Sequence, residues 1–513
     1  MGGMTHPPTV ADRLMGIFWR TPATTVAERA RRRITLHLIP FLFFLYILAY
    51  LDRVNVSVAQ LGMERPPSEG GLGMGREVIG FGAGIFFWGY WILEIPSTVS
   101  VVRLGARWVF VRVLVLWGIC ATLTGLIGTP IVDGMLGWLP HIPEHAAVTA
   151  SLDSTADWLF GWMTTADFRG AGLHPATSFV EFFNGMPNMP WSQFYFLRFM
   201  LGFFEGGFFP SVIVYLSLWF RPADRAKAVA GFMAAIPISS MVGLPVSGLL
   251  LDVDWFGLPG WRWIFIVQGV APVLAGIATL FFLPDRPEAA RWLSPDERDW
   301  LAGELASEAA EKKKHREREW VHHLGLVLLL TVVYFGQNVV SYGISMFMPA
   351  IIKSQTGWSN AVSSYACAPA YALALAAMLW NGRQSDRTGE RFWHAAVPMT
   401  LLGLGVFAAA LTDGMKVVPV AVMILWVGTA MYAHLPAFWP IPSSVLGSIT
   451  AAAAIGFINM IGNIGGSVGP TIVGKVTEGQ TSFAPALMRL APWPIMSAVV
   501  VLGLGWWRSR RNR

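Results

Sequence analysis

The sequence predicts an all-α integral membrane protein of twelve transmembrane helices arranged as two six-helix halves. Three observations carry that expectation. Of 513 residues, 54% are hydrophobic and only 13% are charged, whereas water-soluble domains carry about a quarter charged residues. The apolar residues also come in blocks of about twenty or more, the length that crosses a hydrocarbon core of roughly 30 Å. Finally, Lys and Arg crowd into alternate loops, and the 24 Trp and 33 Phe suit a protein with two membrane interfaces to anchor.

Residues 1–35, ending Arg29-Ala-Arg31-Arg32-Arg33, lack an apolar signal region and cleavage site, so they read as a cytoplasmic leader. The first half, 36–283, holds apolar segments near 36–60, 78–99, 108–128, 192–220, 228–251 and 261–283. An insertion at 129–190 carries Asp133, Glu144, Asp153, Asp157, Asp167 and Glu181 against a lone Arg169. It reads as a periplasmic cap, because its most apolar run, Trp158 to Met163, is too short to span. Its His141, His145 and His174 read as surface residues and not as a metal site. The central loop, 284–322, contains a helix start with Ser294 as cap and Pro295 just inside. The mixed charges of Glu311 to Glu319 then continue a solvated face. The second half, 323–507, has segments near 323–351, 360–381, 392–412, 417–441, 449–474 and 486–507, followed by a basic tail at 508–513. With the N-terminus in the cytoplasm, 27 of the 37 basic residues lie inside, 8 outside, and Arg53 and Arg198 within the membrane. The reverse orientation violates the positive-inside rule.

An internal repeat supports the division. Gly382-Arg-Gln-Ser-Asp386-Arg387-Thr-Gly389-Glu-Arg391 follows the eighth segment, and Arg103-Leu-Gly105-Ala-Arg107 follows the second. Glycine permits a tight turn between helices, and Asp386 and Arg387 are candidate gating partners that clasp neighbouring helix ends. Carriers built from two related halves place their substrate between them, near the midplane.

A charge at mid-bilayer costs about 2.5–3.5 kcal/mol even on the lenient insertion scale, so Asp52, Arg53, Arg198 and Glu205 are functional candidates by default. Arg53 is the expected substrate anchor, since a guanidinium fork fits a carboxylate bidentately and stays charged when desolvated. The alternative is a simple ion pair with Asp52 or Glu205. Glu205 is the expected proton carrier, because burial favours its neutral form while a nearby arginine favours the charged one. Asp52 is its second carboxyl, and a structural bridge from Glu205 to Arg198 is the alternative. Arg198 is a gating partner or a counter-ion. Tyr50 and Tyr90 are hydroxyl donors to a polyol or hydroxyacid, or packing residues. Asn459 and Asn463, one turn apart, are amide donors set in a glycine-rich stretch that suits close helix packing. Glu94 reads as a gate or interface contact. His434 reads as a helix–helix hydrogen-bond partner, with substrate binding or proton relay as the alternative. Cys120 and Cys367 read as core residues without disulfide or metal spacing.

Several stretches resemble the major facilitator superfamily, and within it the anion:cation symporter branch of tartrate and related carboxylate permeases. They are the Asp386-Arg387 loop, Leu45 to Asn55, Gly80 to Tyr90, Leu197 to Pro210, Phe282-Leu-Pro284-Asp285-Arg-Pro, and Gly462-Asn463 to Gly469-Pro470. The resemblance covers nearly the whole chain. It implies substrate binding by Arg53, coupling acids at Asp52 and Glu205, a substrate contact at Tyr90, and a bacterial inner membrane with both termini cytoplasmic. The first-half loop departs from the pattern at Arg103, where the superfamily carries an acid, and the 129–190 insertion has no counterpart.

The expectation is therefore a monomeric, proton-coupled importer of a small organic carboxylate, whether a tartrate-like hydroxyacid, a sugar acid or an aromatic acid, with protons as coupling ion, no other cofactor, no metal, no nucleic-acid partner and the lipid bilayer as surroundings. A facilitator or exporter and a non-transporting metabolite sensor are the alternatives. Gly465-Gly-Ser467-Val-Gly469 and Gly469-(x)4-Gly474-Lys475 imitate a nucleophile elbow and a phosphate loop, but they lie on an apolar helix, and Val476 stands where the phosphate loop needs Ser or Thr. Enzyme chemistry is not expected.

Overall fold

The computed structural model describes residues 25–136, 189–221, 224, 233–314, 324–445 and 448–511. Most of the insertion, with its three histidines, the first part of the leader and residues 315–323 of the central loop lie outside the described residues. The first half comprises α1 (Val26–Met63), α2 (Arg76–Leu104), α3 (Ala106–Thr124), α4 (Pro190–Ser217), α5 (Ala235–Leu251) and α6 (Gly260–Phe282). The second comprises α7 (Leu324–Thr356), α8 (Asn360–Thr388), α9 (Phe392–Leu411), α10 (Val417–Ser443), α11 (Ser448–Gly462 resumed as Gly465–Thr477) and α12 (Ala484–Arg510). Nine of these are long and apolar enough to cross a membrane by themselves, and α2, α5 and α11 complete the twelve. Large apolar side chains such as Leu274, Phe281, Leu425 and Val499 are more than 60% exposed on the outside of the bundle. That surface suits lipid and not water.

Helix α1 starts earlier than the hydropathy pattern suggests. Thr25 caps it, accepting from Glu28 N at 3.2 Å, so the Arg29–Arg33 run belongs to the first turns of α1 and not to a separate leader. Those arginines hold the connector helix Pro295–Lys314: Arg29 reaches Asp296 at 2.9 Å and Arg33 reaches the buried Glu297 at 3.1 Å. Glu297 also accepts from Ser294 N at 3.0 Å, the reciprocal bond of a capping box. This end of the bundle, which carries the connector, is called the connector end below.

The halves meet where α2 lies along α11, α5 along α8, and α1 against α7. Small residues make these approaches possible. A Cβ on Gly80 of α2 would strike the Pro470 carbonyl of α11, and one on Gly474 of α11 would strike the Arg76 carbonyl of α2, the close-contact role glycine plays between membrane helices. The first-half turn compensates for its missing acid. Asp285, just past α6, accepts from Arg107 N at 2.8 Å, and Arg107 Nε donates to the Leu283 carbonyl at 2.8 Å. The acid that clasps this turn is thus supplied by another helix end.

Candidate substrate site

Asp52 and Arg53 are neighbours on α1, so their side chains leave the helix about 100° apart. Asp52 is fully buried and faces α3, accepting from Trp117 Nε1 at 2.8 Å and Asn55 Nδ2 at 2.7 Å. Arg53 faces the bundle centre. Its Nε and Nη2 both reach Glu205 Oε1, at 2.7 and 2.5 Å, and its Nη1 donates to the Tyr342 hydroxyl of α7 at 3.4 Å. The guanidinium also lies over the rings of Tyr90, Tyr50 and Phe86, with centroids 4.9, 5.2 and 5.5 Å away. Aromatic faces hold a desolvated cation without neutralising it. One arginine therefore ties α1, α4 and α7 together across the two halves.

Glu205 owes its position to a break in α4. It is the last residue of the segment Met189–Glu205, and Gly207, at φ 83°, allows the chain to restart at Phe208. The Gly206 carbonyl freed there accepts from Ser97 Oγ at 2.8 Å. Glu205 is fully buried, and its Oε2 has no hydrogen-bond partner among the described residues. The two-turn spacing to Arg198 does not bring those two side chains together as a hydrogen-bonded pair. Arg198 lies over Phe86 at 5.3 Å, only 2% exposed, with Nε and Nη1 unpartnered among the described residues.

Two cavities flank this assembly. One is lined by both Arg53 and Arg198 with Phe86, Phe87 and Ser345. The other is lined by Tyr50, Tyr334, Asn338, Ser341, Tyr432 and His434. Tyr342 borders both, and its hydroxyl lies 3.3 Å from that of Tyr50.

The remaining candidates sit elsewhere. Asn459 donates to Glu94 of α2 at 2.7 Å, and Asn463 accepts from Asn338 at 3.3 Å. Neither lines the two cavities, so both amides serve the seam between helices here. Asp386 pairs with Arg391 at 2.7 Å across the α8–α9 turn, and Arg387 is exposed beside it. Away from the connector end the halves are joined above the site. Gln60 donates to the Met346 carbonyl at 2.7 Å, Asn360 to the Leu61 carbonyl at 3.3 Å, and Arg76 to the Gln480 carbonyl at 2.9 Å, while Glu478 accepts from Glu77 N at 2.8 Å. These contacts seal that end.

Sequence reasoning missed Tyr342, Asn338, Ser341 and Ser345. A signal was present: four polar residues at positions 338, 341, 342 and 345 recur at helical spacing inside the apolar α7, a polar stripe on one face.

A sequence profile of the Major Facilitator Superfamily matches residues 170–470, more than half of the chain. The chain belongs to that superfamily. A protein of Agrobacterium vitis named "Putative tartrate transporter" is 35% identical over 484 residues, covering 93% of this chain and 94% of the relative. A "Quinolone resistance transporter" of Acinetobacter baumannii is 30% identical, covering 92% and 93%. A solved D-xylose–proton symporter aligns with a TM-score of 0.59 at 14% identity, covering 91% of this chain and 96% of that one, which bears on the fold alone. With these relatives the superfamily member is of the anion:cation symporter type, a multi-pass membrane transporter of small solutes and not an enzyme.

Proposed function

We propose that this transporter imports a small organic carboxylate by proton symport, with Arg53 as the anchor and Glu205 and Asp52 as the proton carriers. The observation that carries the reading is the Arg53–Glu205 pair, set between two cavities at the junction of the halves. A substrate carboxylate and Glu205 compete for one guanidinium. When the substrate takes it, Glu205 is left buried and uncompensated, a state so costly that a proton neutralises it. Loading is thereby tied to protonation. Asp52, held by Trp117 and Asn55, is the second group that can exchange a proton as the helices rock. The sealed end and the paired halves support alternating access, and the positive-inside count supports an inner-membrane protein with both termini cytoplasmic. The name of the Agrobacterium vitis relative supports a hydroxy-dicarboxylate such as tartrate as a first candidate.

Uptake into proteoliposomes under an imposed inward proton gradient tests the proposal. Gradient-driven accumulation of one carboxylate, lost in Arg53→Ala, is expected. Glu205→Gln is expected to lose uphill uptake while retaining counterflow exchange, and full proton-driven accumulation in that variant refutes its role. The Acinetobacter baumannii relative favours a second reading as an exporter; transport of a solute outward against protons in the same vesicles would establish it.

A further inference from the structure

We propose that the hairpin joining α5 to α6 is an interfacial anchor, its aromatic tip seated among the headgroups and upper acyl chains of the lipid leaflet at the sealed end. The inference holds whichever solute is carried.

The turn of this hairpin is specific. Residues Asp254–Trp255 (β1) pair antiparallel with Leu258–Pro259 (β2), leaving Phe256 and Gly257 as a two-residue loop. Both loop residues have positive φ, 56° and 70°, the mark of a type I′ turn, which favours Asn-Gly or Asp-Gly. A phenylalanine in the first position presses its Cβ towards the following carbonyl. The same side chain is 93% exposed, so one residue carries backbone strain and turns a large apolar surface outwards. Its contact with Trp263, at 6.0 Å between centroids, hides little of it. Neither the turn nor the protein core calls for phenylalanine here. An apolar medium outside the protein does.

Helix α6 says which medium. Trp263, Val267, Val270, Leu274, Ile277 and Phe281 recur at helical spacing along one face, and the five beyond Trp263 are exposed. They belong to the lipid-facing surface of the bundle. From Trp263 to Phe281 the helix rises about 27 Å, close to the roughly 30 Å hydrocarbon core. Trp263 therefore stands at the core boundary remote from the connector end. Trp255 and Phe256 gather around it at 5.4 and 6.0 Å, so three aromatic rings cluster at the level where membrane proteins concentrate them. Their mount is firm. Trp263 Nε1 donates to the Trp255 carbonyl at 3.2 Å, Trp261 Nε1 to the Gly70 carbonyl at 2.9 Å, and the buried Arg262 to the Gly125 and Ile127 carbonyls at 3.1 and 2.7 Å. A tip held in place beforehand loses little freedom on entering lipid. Its exposed charges, Asp252 and Asp254, are acidic, and 252–259 contains no Lys or Arg. The partner is thus the apolar-to-polar boundary of the leaflet and not an anionic headgroup.

Spin labelling of the full chain in phosphatidylcholine vesicles tests this. Cys120 and Cys367 are buried, so a nitroxide reagent reaches only an introduced thiol, and the unaltered chain treated alike is the blank. Labels at Leu274→Cys and Gly303→Cys, on the lipid face and on the exposed connector helix, give the lipid and water references. A label at Phe256→Cys is expected to collide more often with oxygen than with a water-soluble nickel chelate, in the order seen at Leu274→Cys and opposite to Gly303→Cys. Adding phosphatidylglycerol should leave that order unchanged. A second reporter keeps Phe256 in place: with the label at Asp254→Cys, further substitution Phe256→Asn should raise the nickel collision rate severalfold, without lowering the melting temperature in detergent, because asparagine suits the turn. A label at Phe256→Cys that favours nickel overturns the inference, as does an unchanged rate at Asp254→Cys. An immobilised label shielded from both reagents overturns it in favour of a protein contact, and an oxygen preference that appears only with phosphatidylglycerol overturns it in favour of headgroup binding.

Discussion

Removing Arg53 should destabilise the protein, and removing its partner's charge as well should restore much of what is lost. Glu205 is fully buried and the Arg53 side chain is 7% exposed, with two nitrogens on one carboxylate oxygen. Truncating one member of such a pair costs about 3–5 kcal/mol, most of it from the charge left behind. Arg53→Ala therefore strands a buried carboxylate, whereas Arg53→Ala combined with Glu205→Gln strands only a neutral amide. The amide's penalty is that of an unsatisfied polar group, about 1–3 kcal/mol, so the double variant should regain roughly 2 kcal/mol relative to the single one. Cys120 and Cys367 are both free and buried, which makes a thiol-reactive fluorescent dye a direct reporter of unfolding during a thermal ramp. The expected order of melting temperatures is wild type, then the double variant, then Arg53→Ala. An Arg53→Ala protein that melts with the wild type, or a double variant no more stable than the single, would refute the balance of charges described here.

Two further predictions concern the site and its seal. Arg53→Lys keeps the charge but gives up the fork, losing one charge-assisted hydrogen bond worth about 1.5–3 kcal/mol; carboxylate affinity should fall about 10- to 150-fold in calorimetry, and a change below threefold would show that charge alone suffices. Cysteines replacing Arg76 and Gln480, which bond at the sealed end, should stop uptake when joined by a short cleavable cross-linker and recover it on cleavage. Unimpaired transport while joined would show that these ends need not part.

The fold was legible because the bilayer imposes few solutions: long apolar blocks, basic loops on one side and a repeated turn define two six-helix halves. Asp52, Arg53, Arg198 and Glu205 stood out because charge is expensive in such blocks. Their pairing was not legible. A seven-residue spacing places Arg198 and Glu205 on one helix face, but it cannot rank a partner on the same helix against one on α1. The break at Gly206–Gly207 and the reach of Arg53 decide that. Asn459 illustrates the same limit, since an amide facing inwards donates equally well to a substrate or to Glu94, and only the depth of α2 settles which. Tyr342 escaped notice because tyrosine is amphipathic and packs in membrane cores without comment. Helix α10 read as one apolar span at 417–441, whereas it contains a π-helical stretch, Val422–Gly428, and a break ahead of His434. Pro436 and Pro440, with Gly428 at the end of the π-helical stretch, were its local warnings.

The four ionisable groups of the site have a consequence for membrane voltage. Arg53, Arg198, Asp52 and Glu205 sum formally to zero, so the empty carrier returns without moving net charge through these groups and needs no counter-anion to do so. A monovalent acid entering with one proton on Glu205 leaves the sum at zero, and that stroke is electroneutral. A second proton on Asp52 gives the stroke one positive charge, which the membrane potential drives with about 2.3 kcal/mol per 100 mV. The dependence of accumulation on voltage, at fixed pH difference, thus counts how many of the two carboxyl groups ride with each substrate.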